Sequence, residues 1–272
     1  MSTMRSVAAL IESALEGEED DERAWEAIRA LHHLGDASVF EAASALVGSQ
    51  SAKERGRGVD ILGQFGGPLA SEAVRARCAT VVLAALATEQ SPEVLHAIGV
   101  ALGHLRDARA VEALTPLRAH KEAKVRLGVV LGLTPHAALD ALIALSADPD
   151  DEVRNWATFG LGSQNTSDTP ALRDALVARL EDAHAEVRGE ALVGLAERKD
   201  PRVLEALRRE LQGPNVSGLA VGAAEALGDV SLLPLVLPLR RPGGDRSFNA
   251  LVAEAIAALE RAARKSARPR SH

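Results

Sequence analysis

Apolar and small residues in this chain fall on a helical stripe that renews itself about every 31 residues. The fullest form reads V-R-x-x-A-A-x-A-L-G, clearest from Val125-Arg126, Val153-Arg154 and Val187-Arg188. With the Val as position zero, offsets four, five, seven and eight are apolar or small, and offset nine is often Gly. Offsets of four, seven and eight share one face of an α-helix, whereas a strand would alternate. Copies fit with position zero at Arg23, Glu54, Val94, Val125, Val153, Val187, Leu219 and Phe248, spaced by 31, 40, 31, 28, 34, 32 and 29 residues.

Each copy continues through a short break into a second helical run, as at residues 107–114 and 200–207. Pro201 falls just inside a helix start, with Asp200 before it as a cap. Ser51, Ser91 and Asp150 each stand three residues before position zero and are expected to cap the first helix. The unit is therefore first helix, turn, second helix. One such pair cannot bury its apolar face alone, so the pairs must stack. The expected fold is all-α, an α-solenoid of about eight stacked helix-turn-helix repeats.

The segments Asp150-x-x-Val153-Arg154 and His184-x-x-Val187-Arg188, the A-L-G ends such as Ala101-Leu102-Gly103, and the Asp-Pro or Asp-Ala starts of second helices carry a family likeness. They resemble the HEAT-repeat family, in the short bacterial form also found in phycobilin lyases. The resemblance runs from about residue 20 to 260 and implies the fold; it leaves function open, because such arrays serve many roles. Copies one, two, seven and eight lack Val, Arg or both at positions zero and one, as end copies facing solvent do. The organisation expected is one solenoid over residues 1–260. Residues 1–20 form its N-terminal capping helix and acidic segment, and residues 261–272 a basic tail.

Composition supports close helix packing: 47% of the 272 residues are hydrophobic, 2% are aromatic and there is no Tyr. No segment approaches the roughly 20 apolar residues of a membrane span. The apolar run of residues 7–11 is broken by Glu12, so it reads as an amphipathic helix and not as the core of a signal peptide. A cytoplasmic location is the default. Cys78, the one cysteine, is expected to be a buried inert thiol. The net charge of −7 is uneven. The first 50 residues carry −7 and residues 240–272 carry +5, which fits solvated ends or, in a sharper reading, an electrostatic tail for an acidic partner or head-to-tail association.

Copy five is the exception in the pattern. Trp156 stands at position three, where copies three and four have Ala97 and Gly128, and Phe159 follows within one turn. The aromatics either fill a gap left by small neighbours or form an anchor, with Asn155, Gln164 and Asn165 as polar neighbours; Trp and Arg most often dominate binding energy. Arg126, Arg154 and Arg188 recur at position one and are expected to form a structural ladder, with Asp150, Asp151, Glu152 and Glu186 near enough to alternate. Second helices line the concave face of HEAT arrays, and Arg173 and Arg179 are candidate partner-binding residues there.

Histidines are scattered without a second ligand at i+4, so no metal is expected. HEAT-type deoxyhypusine hydroxylases carry His-Glu pairs, and this sequence has no such dipeptide. Gly66-Gly67-Pro68 and Pro242-Gly243-Gly244 lack the Lys-Ser/Thr of a phosphate loop. Nucleophile, base and orienter cannot be nominated together. No cofactor and no catalytic residue is expected. The reading is a non-catalytic scaffold binding a protein partner on its extended, concave surface. The alternatives are a nucleic-acid-binding HEAT-like protein, opposed by the negative charge, and a bilin-lyase-like enzyme.

Overall fold

The computed structural model describes residues 6–17 and 21–266, and every regular element among them is helical. In chain order these are α1 (Val7–Leu15), α2 (Glu22–Leu34), α3 (Ala37–Val47), α4 (Ala52–Gly63), α5 (Glu72–Leu86), α6 (Pro92–Leu105), α7 (Arg109–Leu114) and α8 (Ala123–Leu133). There follow α9 (Leu139–Leu145), α10 (Asp151–Leu161), α11 (Pro170–Arg179), α12 (Ala185–Glu197), α13 (Leu204–Leu211), α14 (Gly218–Leu227), α15 (Leu233–Val236) and α16 (Arg246–Ser266). Even-numbered helices are the first helices of the eight copies, and each begins one or two residues before its position zero. Odd-numbered helices from α3 onward are the second helices, several entered or left through a short 3₁₀ turn.

The caps explain most of these starts. Ser51 accepts from the Glu54 amide at 3.4 Å and Asp150 from the Val153 amide at 3.1 Å, each satisfying a donor the helix leaves unpaired. Asp200 accepts from the Arg202 amide at 3.0 Å, and Pro201 opens the 3₁₀ turn that leads into α13. Ser91 occupies the cap position without capping; its hydroxyl donates instead to Glu93 at 2.7 Å.

Two compact units make up the chain, residues 1–141 and 142–272. In the first, α1 lies on α2, and α4, α6 and α8 pack in succession with α3, α5 and α7 beside them. In the second, α10, α12, α14 and α16 pack in succession, with α11, α13 and α15 beside them. The core is set by offset eight: Leu31, Leu62 and Leu102 are fully buried, as are Leu133, Leu161 and Leu195. Truncating one such leucine to Ala removes about 2–5 kcal/mol.

Small residues fix how closely first helices approach. A Cβ on Gly99 would lie 2.2 Å from the carbonyl oxygen of Gly128, so α6 and α8 touch backbone to backbone. A Cβ on Gly194 would lie 2.7 Å from the Cα of Gly162, the same arrangement between α10 and α12. Helix α16 runs through Ser266, so the basic tail expected from residue 261 begins as helix. The i,i+4 pair Glu260–Arg264 at 3.6 Å and basic residues in the last turn favour that continuation. Arg268 and Arg270 lie outside the described residues, as do residues 18–20 of the acidic segment.

Candidate functional site

The position-one arginines share one geometry. Arg126 donates Nη1 to the carbonyls of His120 and Lys121, Arg154 to those of Asp148 and Pro149, and Arg188 to those of Asp182 and Ala183, all between 2.8 and 3.1 Å. Each guanidinium thus ties down the loop that leads into its own helix. Arg55 does the same to Ser49 and Gln50, at 3.1 and 3.0 Å. It belongs to the column although copy two lacks the Val.

The remaining donors reach forward. Arg55 makes a two-pronged bond to Glu89 at 2.7 and 2.9 Å, and Arg154 to Asp182 at 2.9 and 3.0 Å. Both carboxylates stand five residues before the next position zero, and Asp182 is 7% exposed. Arg188 reaches Glu210 at 2.7 Å. The partners are therefore not the Asp150, Asp151, Glu152 and Glu186 suggested by proximity in sequence. Asp150 is consumed as a cap, and Asp151 faces His184 at 3.8 Å. Arg55, with the Ser91 and Gln90 amides, holds Glu89 down to about 2. Burial raises Asp182, but bonds from Arg154 and the His184 amide outweigh it and leave the group below the usual range.

The polar connection after α10 is bound by an arginine the sequence pattern does not single out. Arg198 donates to the carbonyls of Leu161, Gly162, Asn165, Ser167 and Gly194. Asn165 is buried, and its side-chain oxygen accepts from the Ser167 amide at 2.7 Å. Arg173 bonds Asp168 at 2.6 and 2.7 Å, Asp200 at 3.1 Å and the Arg198 carbonyl at 2.8 Å. Arg179 donates to the Ser146 carbonyl at 2.9 Å and lies 3.7 Å from Asp182. Arg173 and Arg179, near opposite ends of α11, are thus committed to internal partners, because short loops leave many carbonyls that only a forked donor satisfies.

Trp156 is different. It is 39% exposed on α10 and meets Phe159 edge to face, with ring centroids 5.7 Å apart. Asn155, Phe159 and Ser163 lie four residues apart on the strip of the chain facing α12. Asn155 Nδ2 is 3.4 Å from Glu186, and the Ser163 hydroxyl is 3.5 Å from Glu190. Glu152 and Gln164 are exposed nearby in sequence. Burial first, and then Glu186 and Glu197, raise the Glu190 carboxyl above its ordinary value. The exposed aromatic belongs to the first-helix layer, not to the second helices expected to line a concave face.

The first unit holds a second tryptophan on a first helix. Trp25 of α2 is half-buried, and the Arg57 guanidinium stands 5.5 Å from its ring centre. Arg57 is 4% exposed and 3.5 Å from Asp60. A cleft of about 350 Å³ opens beside them, lined in part by Lys53, Glu93 and His96. Cys78 is fully buried, and burial pushes its thiol up to about 11, so it is inert. Among the described residues no group of three His, Cys, Asp or Glu is placed to hold a metal, and no helix is long and apolar enough to cross a membrane.

Comparison with known proteins places this architecture. YibA of Escherichia coli strains K12 and O157:H7 is 40% identical over 125 residues, 46% of this chain and 43% of YibA. That alignment spans less than half the length of the curated relatives. The crystal structure of E. coli YibA superposes with a TM-score of 0.72 at 25% identity, covering 96% of this chain and 99% of that one. A structure of Kap95p with RanGDP shares the fold at a TM-score of 0.66 and 15% identity, over 98% of this chain and 43% of that chain. Residues 79–162 and 139–228 match the sequence model of HEAT repeats, more than half of the chain, and the protein belongs to the HEAT-repeat family.

Proposed function

We propose that this HEAT-repeat protein is a non-catalytic scaffold that binds a protein partner on the first-helix face of α10 and α12, with Trp156 as the anchor. The observation that carries the reading is the exposed, pre-oriented pair of Trp156 and Phe159 on a rigid helix. An aromatic held on a helix loses little conformational freedom on docking, and such anchors carry about 2 kcal/mol or more of binding energy. Asn155 and Gln164 form the polar rim. Asn165, Arg173 and Arg179 act beneath it, holding the connection and α11 in place. Kap95p is a HEAT-type solenoid in a structure with RanGDP, and its likeness to this chain is one of fold. A single buried thiol suits a reducing compartment, and the proposal places the protein in the cytoplasm.

The test is site-specific photo-crosslinking in the native host. A crosslinker at position 164, on the exposed rim, is expected to trap one protein reproducibly, and a crosslinker at position 173 is not. Trp156→Ala should abolish capture by the purified chain while its melting curve stays nearly unchanged. Equal capture by wild type and Trp156→Ala would overturn the anchor.

A further inference from the structure

The first unit shows what a first-helix tryptophan with a neighbouring carboxylate holds in this protein. Trp25 and Asp60 hold a guanidinium, that of Arg57, which lies over the ring and beside the acid. An aromatic face attracts a cation through its quadrupole, and a carboxylate adds charge and a hydrogen-bond acceptor.

The second unit repeats the aromatic and the acids without the cation. Trp156 and Phe159 lie on α10 between Asn155, which meets Glu186 of α12, and Ser163, which meets Glu190, with Glu152 one turn before Trp156 on α10. The side-chain oxygen of Asn155 has no hydrogen-bond partner, because the amide nitrogen is the atom turned toward Glu186. Among the described residues no arginine or lysine lies over the Trp156 ring. The two arginines closest in sequence are spoken for: Arg154 by Asp182 and two carbonyls, Arg188 by Glu210 and two carbonyls. The acceptors at this face therefore outnumber the donors, and crowding with Glu186 and Glu197 adds to burial in raising the Glu190 carboxyl.

We infer that the partner segment seated on Trp156 is basic, and that it places an arginine or lysine side chain against the Trp156 ring with its charge between Glu186 and Glu190. This rests on the reading of Trp156 as a protein-binding anchor and names the chemistry of what it binds. Charge complementarity selects this occupant. An acidic segment would meet three carboxylates, and a purely apolar one would leave them desolvated without a counter-charge.

The experiment uses the whole chain labelled with 5-fluorotryptophan, whose two fluorine signals are assigned with Trp156→Phe. The probe is a synthetic peptide of alternating Arg and Ala, with an alternating Glu and Ala peptide and a Ser and Ala peptide as controls. The Arg peptide is expected to shift the Trp156 signal saturably and to leave the Trp25 signal in place, since Arg57 already occupies that ring. In the double variant Glu186→Gln, Glu190→Gln the affinity should fall about tenfold. A urea unfolding curve that matches the wild type reports that this variant is folded. No shift with the Arg peptide, or an equal shift with the Ser peptide, overturns the inference. Either result is separable from failure of the anchor itself, which is read by crosslinking and by capture with Trp156→Ala.

Discussion

The two tryptophans both stand on first helices, in copies one and five, yet one is a closed contact and the other an open one. Trp25 is covered by a guanidinium from the next copy, itself buried and paired with Asp60. Trp156 is 39% exposed, and Asn155 beside it in the chain meets Glu186. Trp25 stands at position two of its copy and Trp156 at position three, so the two are not equivalent, but position three of the copy that follows each differs in charge. It is Arg57 in copy two, Trp156 in copy five and Glu190 in copy six. A cation after the aromatic closes the contact internally; an acid after it leaves the contact to be completed from outside. The lesson is that the charge one copy after an aromatic decides whether the chain itself supplies a cation to cover the ring.

The sharpest way to break this comparison is Arg57→Ala. It strips a buried charge from Asp60 and uncovers Trp25, and should cost about 3 kcal/mol, read as faster hydrogen exchange in α2 and α4. Unchanged exchange would mean the closed contact does not hold the first unit together. Arg154→Ala should cost about 2 kcal/mol in urea unfolding, since it takes the two-pronged partner from buried Asp182, and Arg173→Ala should cost less, since Arg202 keeps a two-pronged bond on Asp200. The sequence alone ranks Arg154 above Arg173 and the bonds on Asp200 give the same order; a larger loss at Arg173 would contradict the pairing of Asp200 with Arg202. Trp156→Ala should cost under about 1 kcal/mol, the signature of an open site; a larger loss would make Trp156 a core residue.

The pH response separates the two sites more gently. Burial lowers the His32 imidazole below 6.5, and its Nε2 lies 3.0 Å from the Asp60 carbonyl. A histidine kept neutral in the fold contributes stability above its unfolded value and loses it as the pH falls below 6.5. Protection factors in α2 and α4, which already correct for the slower intrinsic exchange of amides at lower pH, should therefore fall between pH 7 and 5, and His32→Gln should flatten that slope. Smallest of all, Glu190→Gln should raise the melting temperature slightly at neutral pH. A carboxyl whose folded value is raised opposes folding once ionised, and the variant removes that charge. A lowered melting temperature would show that the Glu190 charge has a stabilising partner.

Much of the frame is legible in the chain. The offset-eight leucines and the starts of all eight first helices follow from periodicity, because burial on one helical face repeats with the helix. The ion pairs were not legible in the same way. Arg154 reaches Asp182, 28 residues on, through loops whose residues obey no helical spacing. Arg198 fans onto five carbonyls, and backbone acceptors leave no mark in a sequence. Arg55 escaped because the reading required Val before Arg; an acid five residues before the next position zero is the signal that finds it. The prominence of Trp156 was visible in its column, but its exposure depends on what α12 places opposite.

The forked arginine at position one also gives the array a direction. Each such copy has a sending end, the arginine, and, as with Glu89 and Asp182, a receiving end, the acid five residues before the next start. A repeat duplicated in tandem brings half of one bond and half of another. It can be spliced in head to tail without new partners, and a repeat inserted backwards finds none. Growth of such a chain by duplication is thereby written with a grammar in which order, not composition, is the rule.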